Sequence, residues 1–208
     1  MPFIPQSSLV SLQRDLTDVY GFQYWWPADS PQEVMEGAIL AQNTSWKNVE
    51  KAIARLKGKK ASDILSCQDL GEKIRSAGFY RQKERFLKGV LNYYVSKIEN
   101  LSLPIDTRWE LLELDGVGRE TADSIALYAF HQHTIPVDSY TIRLLNRYFG
   151  TSYSGRDYEE IRGKLIGIFN QEQLMELHGL IDEHCKMFCK KVPKCESCPI
   201  RKKCRMNI

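Results

Sequence analysis

Apolar residues recur at spacings of three and four along most of the chain, and this period predicts α-helices nearly throughout. Ser30 and Glu33 form a capping box around Pro31, which favours a helix that begins at this proline. The apolar stripe of that helix consists of Val34, Met35, Ala38 and Ile39. No stretch alternates apolar and polar residues as a half-buried strand does, and no internal repeat is visible. We therefore predict an all-α fold.

Glycine and aspartate positions predict where several helices end and begin. Gly78 and Gly150 follow apolar stripes, at positions typical of helix C-termini. Asp138 follows Pro136 and Val137, and its carboxylate is suited to cap the N-terminus of the next helix. Two further helices are predicted at about residues 158–169 and 171–188.

The length and composition limit the classes of protein to which the chain can belong. With 208 residues, of which 43% are hydrophobic, the chain can bury a sizeable core as one domain or as two lobes that share a cleft. The N-terminus lacks the regions of a signal peptide, and no apolar run approaches the ~20 residues that span a bilayer. We therefore expect a cytoplasmic protein with no membrane partner.

The charge of the chain is unevenly distributed. The net charge of +3 is too small to indicate a partner by itself, but from residue 185 onward eight Lys or Arg residues accompany one acid, Glu196. A basic segment suits contact with phosphate groups, because neutralising them releases counterions. A solvated charged surface explains the same run equally well.

Five of the six cysteines lie in this basic segment, and only Cys67 lies elsewhere. Clustering at one end of the chain favours a metal or cluster site over a disulfide framework, which would be spread through a small secreted domain. The clustered cysteines are Cys185, Cys189, Cys195, Cys198 and Cys204.

A short loop with two glycines, Gly116 and Gly118, separates two predicted helices. Glycines permit tight backbone geometry and let amides approach an anion, to which the N-terminus of the second helix adds its dipole. Such a loop can hold a DNA phosphate without reading sequence. The two glycines alone are equally compatible with an ordinary helical hairpin.

The wider pattern resembles the endonuclease III superfamily of DNA glycosylases. Residues 114–125 have the pattern Leu-x-Gly-Val-Gly-x-x-Thr-Ala-x-x-Ile, and Val137 and Asp138 precede the next helix. Gln42 within Ala-Gln-Asn-Thr and residues 77–83 match two further signatures of that family. The resemblance implies a helix-hairpin-helix DNA glycosylase with two helical lobes flanking a DNA-binding cleft. The expected domains are a six-helix domain at 25–134 and a second helical domain formed by 1–24 and 135–208.

The resemblance implies that Asp138 is the catalytic residue. Its counterpart in the family stabilises the positive charge that develops on the deoxyribose as the base leaves, and it orients the attacking water. A carboxylate suits this transition state because its charge is aimed where positive charge appears. The alternative is that Asp138 only caps its helix, and the two roles are compatible.

Position 120 departs from the bifunctional members of the family. Those members have a lysine there that forms a Schiff base with the sugar, whereas this chain has Glu120. Because a carboxylate cannot form an imine, the resemblance implies a monofunctional glycosylase that uses water. An acid favoured by the first turn of a helix is the structural alternative for Glu120.

Aromatic residues narrow the expected substrate. Trp25, Trp26 and Pro27, together with Trp46 and Glu120, resemble the base pocket of the MagIII type of 3-methyladenine glycosylase. Alkylated purines carry positive charge and leave readily, so that aromatic faces can select them by stacking and cation–π attraction. Tryptophans that only pack in the core are the alternative.

The resemblance also assigns contacts with DNA. Gln42 is expected to fill the gap that the everted nucleotide leaves in the duplex, with a solvated loop as the alternative. The residues expected to contact the phosphate backbone are Gly116, Val117, Gly118, Arg119 and Thr121 of the hairpin, and Lys190 and Lys191 of the basic segment.

The spacing Cys189-x5-Cys195-x2-Cys198-x5-Cys204 resembles the loop that binds a [4Fe–4S] cluster at the C-terminus of this superfamily. The first interval is one residue shorter than the common one. A zinc site is the alternative, although structural zinc sites more often pair two Cys-x-x-Cys units. The implied role of the cluster is to hold the basic loop against DNA.

We therefore expect a monomeric enzyme of base excision repair that binds double-stranded DNA containing a damaged base and releases alkylated purines of the 3-methyladenine kind. Two alternatives remain open. One is a bifunctional glycosylase and lyase for oxidised pyrimidines, and the other is a non-catalytic damage-binding or redox-sensing protein. The range of bases, the opposite-base preference, and the roles of Cys67 and Cys185 are not determined by the sequence.

Overall fold

A computed structural model describes residues 4–99 and 107–206. These residues form helices and no β-strand, which confirms the all-α prediction. Parts of the predicted domains at residues 1–3, 100–106 and 207–208 lie outside the described residues. The helices are α1 (Gln6–Tyr20), α2 (Pro31–Leu40), α3 (Trp46–Leu56), α4 (Ala61–Leu65), α5 (Leu70–Lys73), α6 (Tyr80–Tyr94), α7 (Thr107–Leu112), α8 (Arg119–Phe130), α9 (Ser139–Phe149), α10 (Tyr158–Ile166) and α11 (Gln171–Met187).

Helix α2 begins as its sequence predicts. Ser30 Oγ accepts a hydrogen bond of 3.2 Å from the Glu33 amide, and Pro31 occupies the first turn. The Glu33 carboxylate accepts in turn from the amide of Asp29, at 2.9 Å, one residue before the expected partner. Residues 34–40 are all buried, and α2 packs against α6 and α8. The helix therefore lies in the middle of its unit, where it can position the loop that follows it.

The N-terminal helix α1 was not predicted. Its buried residues Leu9, Leu12 and Leu16 follow the helical period, and the helix packs against α11. Apart from the exposed Val10, the residues between these leucines are polar, so the apolar stripe is narrow and the helix depends on α11 for its burial.

Contacts between residues divide the chain into two compact units. One unit consists of Met1–Trp26 and His133–Ile208, and the other is Pro27–Gln132. The first contains α1 and α9 to α11, and the second contains α2 to α8. The domain ranges expected from the sequence stay a prediction. No helix among residues 4–99 and 107–206 is long and apolar enough to cross a membrane.

Candidate active site

The hairpin between α7 and α8 requires glycine at its first position. Gly116 has φ of +77°, in the left-handed region that L side chains rarely adopt. A Cβ at this position would lie 2.2 Å from Cγ of Phe86, so the ring of Phe86 already fills the space. The Val117 amide then donates to the Leu114 carbonyl at 3.1 Å and closes the turn. Conformation and packing therefore both exclude a larger residue at position 116.

Gly118 differs from Gly116, and the expectation that both glycines serve tight backbone geometry is wrong for this residue. Its φ of −86° is open to any residue, and a Cβ there would meet nothing within 4 Å. Gly118 is the N-cap of α8 and contributes no side chain to its first turn, where Arg119 and Glu120 are exposed. The start of α8 is thus an open helix N-terminus, an arrangement that suits an anion.

Gln42 is bonded to this hairpin, a contact that sequence analysis missed. Its Nε2 donates to the Gly116 carbonyl at 2.9 Å and to Thr121 Oγ1 at 3.1 Å. Thr121 is buried and Gln42 is half-buried. The loop after α2 and the turn before α8 are therefore joined by one side chain. The expected insertion of Gln42 into DNA stays a prediction.

Asp138 caps α9, as the sequence predicts. Its Oδ1 accepts a hydrogen bond of 2.7 Å from the Thr141 amide, while Pro136 and Val137 before it are buried. The carboxylate is half-buried, so it is fixed by the helix without being sealed in the core.

Helix α11 packs on the start of α9 and brings a histidine into the field of Asp138. Cys185 Sγ donates to the Tyr140 carbonyl at 3.6 Å. His178, two turns before Cys185 on α11, is 8% exposed, and burial lowers its pKa against the charges of Asp138 and Asp182, which raise it. The charge of Asp138 therefore acts on a buried histidine of α11, a proximity that the sequence did not indicate.

Trp25 and Trp26 are half-buried, and Pro27 is exposed. Trp25 packs directly on α11, where a Cβ at Gly179 would lie 2.8 Å from Cβ of Trp25. Its indole Nε1 is buried and has no hydrogen-bond partner. Trp25 therefore packs on α11, the same helix that packs on the start of α9 beside Asp138, and all three belong to one unit.

Trp46 is the first residue of α3 and belongs to the other unit, as does the exposed Glu120. The Glu120 carbonyl accepts from Ser124 Oγ at 2.8 Å, within the first turns of α8. That one pocket contains Trp25, Trp26, Pro27, Trp46 and Glu120 stays a prediction.

Because position 120 has no lysine, another lysine would have to attack the sugar in a bifunctional enzyme, and the buried Lys83 is a candidate. Its Nζ donates to the carbonyls of Leu40 and Ala77, both at 2.8 Å, and the side chain is buried. Burial lowers its pKa to about 8. Although a lowered pKa is typical of nucleophilic lysines, this amine holds the C-terminus of α2 and does not face solvent.

Two arginines of α9 hold the backbone of the basic loop. Arg143 Nε donates to the Cys189 carbonyl at 2.7 Å. Arg147 donates to the Lys190 carbonyl at 2.6 Å and to the Lys191 carbonyl at 3.0 Å. Both lysine side chains are exposed. The helix that begins at Asp138 therefore also positions Lys190 and Lys191.

The four spaced cysteines lie near one another. Burial raises the pKa of the Cys198 and Cys204 thiols, and the charges of Cys189 and Cys195 raise it further. The Cys189 thiol has its pKa lowered to about 6 by a hydrogen bond from Cys185 and by Arg147. Among the residues that the structure describes, no three His, Cys, Asp or Glu side chains are placed around a single ion site.

The donor set suits thiolate ligation. Arg147 donates to Cys189 Sγ at 3.5 Å, Cys198 Sγ lies 3.7 Å from His184 Nε2, and Cys204 Sγ donates to the Arg147 carbonyl at 3.4 Å. The guanidinium donor favours the charged thiolate of Cys189, the form in which cysteine binds iron or zinc.

A glycine hairpin with an open helix N-terminus, accompanied by a carboxylate that caps a separate helix, defines a class of DNA-binding helical enzyme. The chain matches the family described as "HhH-GPD superfamily base excision DNA repair protein" over residues 37–171. It is 42% identical to the protein named "Putative DNA repair glycosylase MJ1434" of Methanocaldococcus jannaschii, over 94% of this chain and 95% of that protein. It is 30% identical to endonuclease III of Sulfolobus acidocaldarius, over 82% and 79% of the two chains.

Solved structures of DNA glycosylases are similar to this chain in fold. A non-covalent complex of endonuclease III with DNA has a TM-score of 0.83 and 25% identity, and covers 98% of this chain and 97% of that one. A structure of the H. pylori 3-methyladenine DNA glycosylase MagIII bound to 1,N6-ethenoadenine has a TM-score of 0.75 and 25% identity, with coverages of 88% and 98%. The chain therefore belongs to the HhH-GPD superfamily, and it is a DNA glycosylase of base excision repair.

Proposed function

We propose that this glycosylase hydrolyses the N-glycosidic bond of alkylated purines in double-stranded DNA and leaves an abasic site. The observation that carries the proposal is Asp138, a half-buried carboxylate fixed at the N-terminus of α9 in a chain that has Glu120 where a lysine nucleophile would be. The proposal assigns to Asp138 the catalytic role, and to water the attack on the sugar.

Asp138 acts on charge that appears only during the reaction. As the base leaves, the deoxyribose approaches an oxocarbenium ion, and a fixed carboxylate stabilises this positive charge more than it stabilises the neutral sugar. The hydrogen bond from the Thr141 amide holds one carboxylate oxygen in place, so little reorganisation is needed when the charge develops.

Alkylated purines suit a site of this kind. An alkylated ring nitrogen makes the base a good leaving group, so the enzyme needs little acid catalysis on the base. Trp25, Trp26 and Trp46 supply aromatic faces, and Pro27 and Glu120 complete the proposed pocket. The likeness to MagIII, whose structure is described as bound to 1,N6-ethenoadenine, supports this substrate class.

DNA binding is assigned to the hairpin and the basic loop. Backbone groups of residues 116–119 and the buried Thr121 would hold a phosphate at the start of α8, and Lys190 and Lys191 would neutralise phosphates nearby along the backbone. Gln42 would enter the space that the everted nucleotide leaves, after releasing its bonds to the hairpin.

We also infer that Cys189, Cys195, Cys198 and Cys204 hold a [4Fe–4S] cluster, since their spacing resembles the cluster loop of the family and Arg147 donates to the sulfur of Cys189. The cluster would supply an architectural link and no step of the hydrolysis. Arg143 and Arg147 of α9 donate to carbonyls of this loop and so connect it to the helix that begins at Asp138. Cys185, bonded to the Tyr140 carbonyl, is left outside the ligand set.

Incubation with DNA that carries methylated and etheno bases tests the proposal. We expect free alkylated purines in the supernatant and no strand breaks until alkali is added, because water and not an amine attacks the sugar. Borohydride should trap no covalent adduct. Strand cleavage without alkali and a trapped adduct, on oxidised pyrimidines, would instead establish the bifunctional alternative. Binding of damaged DNA without release of any base would establish a non-catalytic protein.

A further inference from the structure

One ammonium group lies on the aromatic ring of the proposed base pocket. The Nζ atom of Lys186 is 5.3 Å from the centroid of the Trp25 ring. Gly179, two helical turns earlier on α11, allows the indole to lie against the helix, because its missing Cβ would be 2.8 Å from Cβ of Trp25. Gly179 and Lys186, two turns apart on one face of α11, therefore both contact the Trp25 side chain.

An acid on the same helix fixes this ammonium. Asp182 precedes Lys186 by one turn, and the Oδ2 and Nζ atoms of the pair are 2.5 Å apart. The side chain of Asp182 is 14% exposed and that of Lys186 is 41% exposed. A partly buried pair of this kind restrains the lysine more than a solvent-exposed pair does. The positive charge therefore has a defined place beside the ring.

A ring that already holds a cation is a poor receptor for a second one. The cation–π attraction comes from the quadrupole of the ring, and a second cation gains the same attraction only against repulsion from the first. The two principal kinds of alkylated purine differ in this respect. A base such as 3-methyladenine in DNA carries a formal positive charge, whereas 1,N6-ethenoadenine is neutral and presents ring nitrogens that can accept hydrogen bonds.

We propose that Lys186 is a specificity-determining residue that favours neutral alkylated purines over cationic ones. This inference rests on the proposed function, because it assumes that the everted purine stacks near Trp25. It adds, within the proposed substrate class, a preference that depends on the charge of the base. The expectation that Trp25 selects bases through their positive charge stays a prediction, and the proposed role of Lys186 predicts the opposite preference at this ring.

The test is the ratio of two single-turnover rate constants, for release of 1,N6-ethenoadenine from a duplex oligonucleotide and of 3-methyladenine from methylated duplex DNA. Lys186→Met removes the charge and keeps the length of the side chain, and Lys186→Arg keeps the charge as the matched control. We expect Lys186→Met to lower the ratio by about fivefold, the size of an exposed cation–π contact, and Lys186→Arg to leave it close to wild type.

The outcomes separate the two proposals. If the unsubstituted enzyme releases neither base, the proposed function fails whatever Lys186 does. If it releases both, an unchanged ratio in Lys186→Met, or an equal loss on both substrates, overturns the specificity role. Far-ultraviolet circular dichroism and binding of undamaged duplex report whether the variant is folded, and Lys186→Gln replaces Lys186→Met if it is not.

Discussion

Replacing Gly116 with alanine should destabilise the protein by about 3 kcal/mol. The left-handed backbone at φ of +77° costs an L-residue ~1–2 kcal/mol. The new Cβ would lie 2.2 Å from the ring of Phe86, which is 8% exposed and has little room to move, and forcing extra volume into a packed core costs ~1–3 kcal/mol. Movement of residue 116 would also weaken the bond that its carbonyl receives from Gln42.

Gly118→Ala is the matched control, two residues away on the same turn. Its backbone is ordinary and a Cβ there meets nothing, so the substitution should cost at most about 1 kcal/mol, the loss expected when alanine replaces a glycine at an N-cap. Thermal unfolding followed by circular dichroism measures both variants. For a chain of this size the loss at Gly116 corresponds to a fall in Tm of about 6–12 °C.

Two results would refute this reasoning. One is a Tm of Gly116→Ala within a degree of the unsubstituted protein, and the other is an equal loss in both variants. The double variant Gly116→Ala with Phe86→Leu isolates the packing part, and it should recover some of the loss because the smaller side chain can yield to the new methyl group.

Three further predictions concern titration and salt. Burial raises the pKa of Glu36 to about 7, so the folded state binds a proton more tightly than the unfolded state; the free energy of unfolding should fall by ~3 kcal/mol from pH 4.5 to 7, and Glu36→Gln should abolish this fall in urea titrations. Burial lowers the pKa of Lys83 to about 8, so stability should rise between pH 8 and 10.5, and the same titrations should lose this rise in Lys83→Met; a flat profile in the unsubstituted protein contradicts the assignment. Replacing Lys190 and Lys191 with alanine should reduce the slope of log affinity against log salt by about 2 for duplex DNA, and an unchanged slope would remove both lysines from the DNA interface.

Local rules of the sequence were sufficient where a residue acts on its immediate neighbours. Ser30 and Asp138 cap α2 and α9 as predicted, because capping depends on an oxygen and an amide three residues apart. The helical period likewise identified most of the helices. The short helix α4 escaped it, because its five residues make fewer than two turns of an α-helix.

Contacts between distant segments could not be predicted in the same way. The bond between Gln42 and the hairpin spans 74 residues, and Lys186 reaches Trp25 across most of the chain. His178 lies near Asp138 only because α11 packs on α9. Such contacts follow from tertiary packing, which the spacing of residues along the chain does not predict. The two glycines of the hairpin show the same limit, since their backbone angles and the position of Phe86 distinguish them and the sequence shows neither.

The central claim is that Asp138 catalyses the loss of the base, and single-turnover base release by Asp138→Asn tests it most directly. Asparagine accepts the same hydrogen bond at an N-cap, so the variant should keep the Tm and the duplex affinity of the unsubstituted enzyme. We predict that the rate constant for release of an alkylated purine falls by on the order of a hundredfold or more, because the negative charge beside the sugar is lost. A variant that folds, binds DNA and releases the base at the unsubstituted rate would contradict the account.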